Sequence, residues 1–294
     1  MAFILDGPTG TELVARGYKT HPLLWTARAA LEAPHLLKKI HKDYVVAGAN
    51  IITANTFRAN PYLVRKAGFD EGETRRMIHT SIAVATDVVE DSRTEPRCML
   101  AASVSPLEDC YHPERTPDQA TLKQNHALVA AWLAEAGCDI ILIETMGTAR
   151  EAVIAVEAAK SAGFENVWTS FIVRENGEEL LGGDKLTEAA RQCVSAGSEA
   201  VLVNCVHADV IERALFTLQG SAAALGAYAN ASHMTFELGQ EPRWQEDIRP
   251  VAEQACEYAE HAARWVSKYD ARIIGSCCGT TVEHTKKIVE RLKR

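Results

Sequence analysis

Asp139-Ile140-Ile141-Leu142-Ile143-Glu144-Thr145 is the stretch from which the fold is read. Four aliphatic residues in succession leave no polar face. A short run of this kind reads as a strand covered on both sides, as the parallel strands of α/β proteins are. Outward from it, comparable runs recur at 2–6, 50–54, 98–103, 167–173, 200–205, 225–229 and 272–276, so that with 139–144 eight strands are expected. Helical patterns lie between them near 34–48, 71–91, 117–136, 148–162, 186–196, 208–219 and 249–268, and a last one covers 281–293. Pro34 suits a first helical turn, and Thr116-Pro117-Asp118 reads as a cap followed by a proline and an acid. Gly48, Gly137, Gly163 and Gly197 stand where helices should end. Eight strand–helix units in 294 residues predict an α/β fold, the (β/α)8 or TIM barrel, with residues 1–294 as one domain.

Composition narrows the function classes. With 47% apolar and 24% charged residues the chain can bury a sizeable core and does not read as disordered. A formal net charge of −8 argues against nucleic acid as a partner, which would require a basic face for phosphates. No apolar run approaches the roughly 20 residues of a membrane span, and the N-terminus lacks a basic region followed by a signal-type apolar core. The chain therefore reads as cytoplasmic, with small molecules as its partners and no membrane contact; self-association into a homo-oligomer stays open.

Barrel enzymes build their sites at the C-terminal ends of the strands. Here those ends read Asp6-Gly7, Asn55-Thr56-Phe57, Ser105, Glu144-Thr145, Arg174, Asn204-Cys205, Tyr228 to Asn230, and Cys277-Cys278. Eight cysteines in 294 residues are too sparse for a disulfide scaffold. Cys98, Cys110, Cys138, Cys193 and Cys256 lack the paired spacing of metal ligands and read as ordinary apolar or loop residues. Cys277-Cys278, between Gly275 and Gly279, is different, because those glycines supply the backbone freedom that two consecutive ligands demand. Cys205 ends a strand on the same rim, two strands away in chain order, and the three thiols can meet on one zinc ion. The residues alone leave two other readings, a core cysteine beside a coincidental pair and a redox-active vicinal disulfide.

Three thiolates and one Zn2+ leave one net negative charge. Such a site is a poor Lewis acid for carbonyls but suits holding a substrate thiol as thiolate, since coordination lowers a thiol pKa. The implied chemistry is alkyl transfer to a thiol.

Motifs along the whole length carry a resemblance. They are Leu5-Asp6-Gly7-Pro8-Thr9-Gly10-Thr11-Glu12-Leu13, Thr53-Ala54-Asn55-Thr56-Phe57, Gly137-Cys138-Asp139 leading to Glu144-Thr145, Val203-Asn204-Cys205, Tyr228-Ala229-Asn230 and Gly275-Ser276-Cys277-Cys278-Gly279-Thr280. With these the chain resembles the homocysteine S-methyltransferase family of zinc-dependent barrels. The resemblance implies that Cys205, Cys277 and Cys278 are zinc ligands and that Asp6 and Glu144 hold the ammonium of homocysteine, as two carboxylates can. It further implies that Thr56, Phe57 and Asn204 shape the substrate pocket and that backbone N–H groups from Gly7 onward take the substrate carboxylate. Because Pro8 has no N–H, those groups must belong to Gly7, Thr9 or Gly10. Two further departures are Ser276, where glycine is usual, and the loop 105–113, which differs from the S-methylmethionine enzymes and is expected to wall the donor side.

The expected reaction is transfer of a methyl group from a small activated donor, a sulfonium such as S-methylmethionine or S-adenosylmethionine, to homocysteine, giving methionine. Alternatives are another thiol or selenol acceptor, a betaine-like, sulfoniopropionate or corrinoid donor, and a zinc-binding barrel without catalysis. Trp25, Tyr111, Trp244 and Tyr258 are candidates for caging a sulfonium by cation–π attraction, with core packing as the plainer role. His207, His233 and His284 lie near the rim motifs, where surface or helix-end roles are expected, and Gly182-Gly183 reads as a loop signal.

Overall fold

The computed structural model describes residues 2–92, 94, 97–221, 223–235, 243–245 and 247–293. In chain order its first half contains β1 (Phe3–Ile4), α1 (Thr9–Ala15), α2 (Ala29–Glu32), α3 (Pro34–Ala47), β2 (Ile51–Ala54), α4 (Pro61–Lys66), α5 (Glu71–Asp91), β3 (Met99–Val104) and α6 (Gln119–Ala136). The second half adds β4 (Ile140–Met146), α7 (Ala149–Ser161), β5 (Val167–Phe171), α8 (Leu186–Ala196), β6 (Ala200–His207), α9 (Ala208–Thr217) and β7 (Ala224–Asn230). It closes with β8 (His233–Thr235), β9 (Arg243–Gln245), α10 (Val251–Tyr269), β10 (Ala271–Ser276) and α11 (Val282–Leu292).

Eight strands form one parallel sheet in the order β1-β10-β7-β6-β5-β4-β3-β2. A bridge between Leu5 and Ile51 joins its two edges, with the Asp6 N–H donating to the Ile51 carbonyl at 2.9 Å. The expected (β/α)8 barrel is thereby formed. Its walls alternate as the aliphatic runs require. Ile140, Leu142, Leu202 and Ile273 fill the interior with Leu5, Ile51 and Trp168. Ile141, Ile143, Val201 and Val203 face the helices. Among the described residues no helix is long and apolar enough to cross a membrane.

Local differences from the sequence reading have simple causes. β5 stops at Phe171 because the chain turns back, pairing Val173 with Leu180. β4 and β6 run past their expected ends through a register shift each, between Ile143 and Met146 and between Asn204 and His207. Asp118 caps α6, accepting the Thr121 N–H at 2.9 Å, so the acid expected inside the first turn is itself the cap. Helices α1, α2 and α4 span 7, 4 and 6 residues, too few to show a 3.6-residue period. Strands β8 and β9 pair antiparallel at positions where no element was expected.

Leu202 has no exposed surface and packs inside the barrel. Leu202→Ala should lower stability by about 2–5 kcal/mol, read as a shift of the denaturation midpoint; an unchanged midpoint would refute this packing.

Candidate active site

The strand ends open into a cavity of about 420 Å³, within the usual size of small-molecule sites. Period-two alternation explains what lies there. Two residues beyond inward Leu142 comes Glu144 and beyond Ala101 comes Ser103, both on the cavity wall, while Ser170 and Asn204, two beyond Trp168 and Leu202, stand behind it. A polar layer thus rests on the apolar barrel core.

Three thiols stand at its edge. The Sγ atoms of Cys205, Cys277 and Cys278 all lie within 4.8 Å of one another, Cys205 to Cys278 at 3.9 Å and Cys277 to Cys278 at 4.0 Å. Sulfurs about 2.3 Å from a tetrahedral zinc stand about 3.8 Å apart, whereas a disulfide needs about 2.05 Å. The spacing fits ligands and not a vicinal bond, and all three cysteines are free. Crowding also sets their charge. Hydrogen bonds to Cys205 and Cys278, together with burial, push the Cys277 thiol up, while hydrogen bonds from Cys205 and Cys277 hold Cys278 well down. A cation is what would let all three ionise together.

Each ligand has a backbone device behind it. Cys205 sits in the β6 irregularity with φ of 60°, a left-handed conformation. The Cys277 N–H donates to the Ala229 carbonyl at 2.7 Å, and the Ala231 N–H to the Cys278 carbonyl at 3.0 Å. Gly279 turns the chain out with φ of 78°, as expected. Gly275 does something else. It lies within β10, and a Cβ there would come within 2.7 Å of the Leu5 Cβ, so its role is close strand approach. Tyr258 ties the floor together, since its hydroxyl accepts the Ala229 N–H at 2.8 Å and donates to the Gly275 carbonyl at 2.9 Å.

Two buried acids share the cavity. Glu144 accepts from the Ser103 hydroxyl and from the Tyr228 hydroxyl, the latter at 2.9 Å, and burial pushes its pKa up to about 7. Asp6 accepts the Thr53 N–H at 2.9 Å; burial, with a smaller contribution from the charge of Glu144, raises it to about 8. Among the described residues, both carboxyls hydrogen-bond to neutral donors only.

Asp6, Gly7, Phe57, Glu144, Cys205, Cys277 and Cys278 all line the cavity, whereas Thr56 and Asn204 lie behind its wall. The Thr56 hydroxyl donates to the Ser103 carbonyl at 2.7 Å. Asn204 accepts from the Thr145 N–H at 3.2 Å and from the Ser170 hydroxyl at 2.6 Å, and donates to the Thr145 hydroxyl at 2.8 Å. Trp25 and Tyr111 line the cavity, Tyr258 is the strand tie described above, and the Trp244 side chain lies outside the described residues. His207 caps α9, His284 completes a capping box with Thr281 on α11, and His233 stacks on His207 at 3.8 Å. Among the described residues, Trp25, Thr145 and Cys205 are three of the four non-glycine residues with positive φ, and all three line the cavity. Strain of this kind collects at functional sites.

Sequence reasoning missed Ser103 and Arg58, gave Tyr228 no role beyond its strand end, and read Cys110 as an ordinary residue. Cys110 is buried against the same cavity, although no spacing pairs it with the other thiols. Tyr228 and Ser103 could have been found by continuing the inward alternation beyond the apolar runs. Arg58 had no signal beyond following Phe57. The loop 105–113 does wall the cavity, through Asp109, Cys110 and Tyr111, and the Tyr111 hydroxyl lies 3.1 Å from the Cys205 sulfur.

A family model described as homocysteine S-methyltransferase matches residues 3–292. The chain is 27% identical to homocysteine S-methyltransferase 4 of Zea mays, covering 99% of this chain and 89% of that protein. It is likewise 27% identical to the homocysteine S-methyltransferase of Escherichia coli, over 95% and 91% of the two chains. Among solved structures it is similar to the oxidised form of the homocysteine methyltransferase MmuM from Escherichia coli, at a TM-score of 0.82 and 26% identity over 99% and 96% of the chains. The metallated form of MmuM gives a TM-score of 0.81 at 24% identity, over 98% and 96%.

Tyr258→Phe removes the tie beneath the cysteine pair. A zinc ion held by these thiols should then bind about tenfold more weakly, read by competition with a chromogenic chelator while the circular dichroism spectrum stays native. Unchanged affinity would show that Tyr258 does not position the ligands.

Proposed function

The chain belongs to the homocysteine S-methyltransferase family, and from that premise we propose that it transfers a methyl group to the thiol of homocysteine, giving methionine. The observation that carries this reading is the placement of three clustered sulfurs and two buried acids on one cavity. Cys205, Cys277 and Cys278 would hold zinc, which supplies, when bound, the positive charge that keeps a substrate thiol ionised at neutral pH.

The chain's own residues do the rest. Asp6 and Glu144 take the ammonium of homocysteine by charge-assisted hydrogen bonds. The N–H groups of Gly7, Thr9 and Gly10, where α1 begins, receive its carboxylate. Phe57 walls the pocket, and Thr56 and Asn204 act from behind by fixing the backbone that bears the contacting groups. The acceptor sulfur, ionised, attacks the methyl carbon in line; a carbon–sulfur bond forms to the acceptor as the bond to the donor breaks. A sulfonium donor such as S-methylmethionine or S-adenosylmethionine leaves as a neutral thioether, so no general acid is required. The residues contribute proximity and alignment.

Methionine formation from homocysteine by the zinc-loaded protein, assayed against S-methylmethionine, S-adenosylmethionine, betaine, dimethylsulfoniopropionate and methylcorrinoid, tests the reaction and identifies the donor. Methionine from a sulfonium supports the reading, and zinc binding with no product from any donor would leave a non-catalytic barrel. Cys205→Ser should lose both zinc and activity; retention of both would overturn the site.

A second expectation concerns pH. Burial raises Asp6 to about 8 and Glu144 to about 7, above the ordinary carboxyl range, and only the ionised forms attract an ammonium. Affinity for methionine, which lacks an acidic thiol, should therefore rise between about pH 6 and pH 9 by calorimetry. Stability should run the other way. The folded, empty protein binds more protons than the unfolded chain between about pH 4 and pH 8, so its stability falls as pH rises through that window. A flat binding profile would mean that these acids do not receive the ammonium.

A further inference from the structure

Arg58 is a charged side chain on the cavity wall for which the acceptor has no use. It follows Phe57 beyond the end of β2, its side chain is 15% exposed, and it lines the same cavity as the three thiols. One Nη donates to Asp109 Oδ2 at 2.7 Å and the other to the Leu23 carbonyl at 3.2 Å, which fixes the guanidinium plane. The remaining donors of that fork are uncommitted among the described residues. The acceptor's charges are met elsewhere, its ammonium by Asp6 and Glu144 and its carboxylate by the start of α1. Glu144 takes its hydrogen bonds from Ser103 and Tyr228, and Arg58 is bonded to Asp109 and the Leu23 carbonyl.

Its place relative to the sulfurs is also defined. Asp109, which holds the guanidinium, accepts the Tyr111 N–H at 2.9 Å, and the Tyr111 hydroxyl reaches the Cys205 sulfur at 3.1 Å. Arg58 therefore lies on the loop 105–113 side of the cluster, where Trp25, Phe57 and Tyr111 present aromatic surface to the cavity. Aromatic faces attract an onium group. A fixed guanidinium nearby repels one, unless the donor carries an anion of its own to set against it.

We propose that Arg58, oriented by Asp109 and the Leu23 carbonyl, anchors a carboxylate of the methyl donor, so that the donor is a carboxylate-bearing onium compound with its cationic end over the aromatic wall. This rests on the methyl-transfer reading above. It assigns the donor's anionic end to one residue and excludes donors without such an end as good substrates. Because the carboxylate and guanidinium meet in a largely dehydrated wall, the contact is charge-assisted and paired in geometry.

The test compares S-methylmethionine with its methyl ester on zinc-loaded wild type, Arg58→Gln and Arg58→Lys. Wild type should show a KM at least about tenfold lower for the acid than for the ester. Arg58→Gln should raise the KM for the acid by a similar factor while leaving the ester's KM, the homocysteine KM and the zinc content unchanged, and Arg58→Lys should restore part of the loss. Equal losses for acid and ester would make Arg58 merely a brace for the loop, and a raised homocysteine KM would make it an acceptor anchor; either overturns the proposal. Equilibrium binding of the acid and the ester to the same three proteins reads the contact without turnover. If wild type forms no methionine, the reaction assignment fails, while a binding preference for the acid that vanishes in Arg58→Gln still supports the anchor and its absence refutes it.

Discussion

The side-chain amide of Asn204, with no exposed surface, accepts the Thr145 N–H at 3.2 Å and donates to the Thr145 hydroxyl at 2.8 Å. This two-way bond joins the ends of β4 and β6 at the places where both leave regular geometry. Thr145 and Cys205 have φ of 61° and 60°, conformations that cost about 1–3 kcal/mol each for residues other than glycine. With the strand ends fixed against each other, Glu144 precedes one strained residue and Cys205 is the other. The buried acid Glu144 and the thiol cluster are therefore parts of one rigid unit, and their separation is set by backbone and not by loop motion. Catalysis by alignment needs that rigidity.

Charge ties the same parts together. The cavity holds two carboxyls that burial raises into the neutral range, Asp6 to about 8 and Glu144 to about 7, and three crowded thiols that cannot all ionise at once. A divalent cation permits the thiolates, and an ammonium permits the carboxylates. Each component of the loaded site thus stabilises the charged state of the next. Arg58 brings a positive charge to the same cavity, paired with Asp109 at 2.7 Å. On the proposed reading, a cavity so charged would suit substrates that carry both signs.

The barrel was legible because buried parallel strands have no polar face, and the aliphatic runs at 139–144 and 200–205 stated this directly. The cysteine pair was legible because adjacent thiols between glycines serve packing poorly. What stayed hidden has physical reasons. Helix α1, which begins at Thr9 beside the cavity, has 7 residues and shows no period. Cys110 reaches the site through the path of its loop, and no local spacing encodes that path. Thr56 and Asn204 were expected from the resemblance to shape the pocket, yet both stand behind its wall, where Thr56 bonds to the Ser103 carbonyl and Asn204 to Thr145 and Ser170. Tyr258 was read as an aromatic ring, whereas its hydroxyl is the part that the structure uses.

The central claim is that Cys205, Cys277 and Cys278 gather one zinc ion and leave a place on it for the sulfur of the acceptor. X-ray absorption at the zinc edge reads that coordination directly. Three sulfur scatterers at about 2.3 Å in the zinc-loaded protein, rising to four when homocysteine is added, is the predicted result. A sulfur count that does not change with homocysteine, or that falls short of three before it is added, would contradict the account.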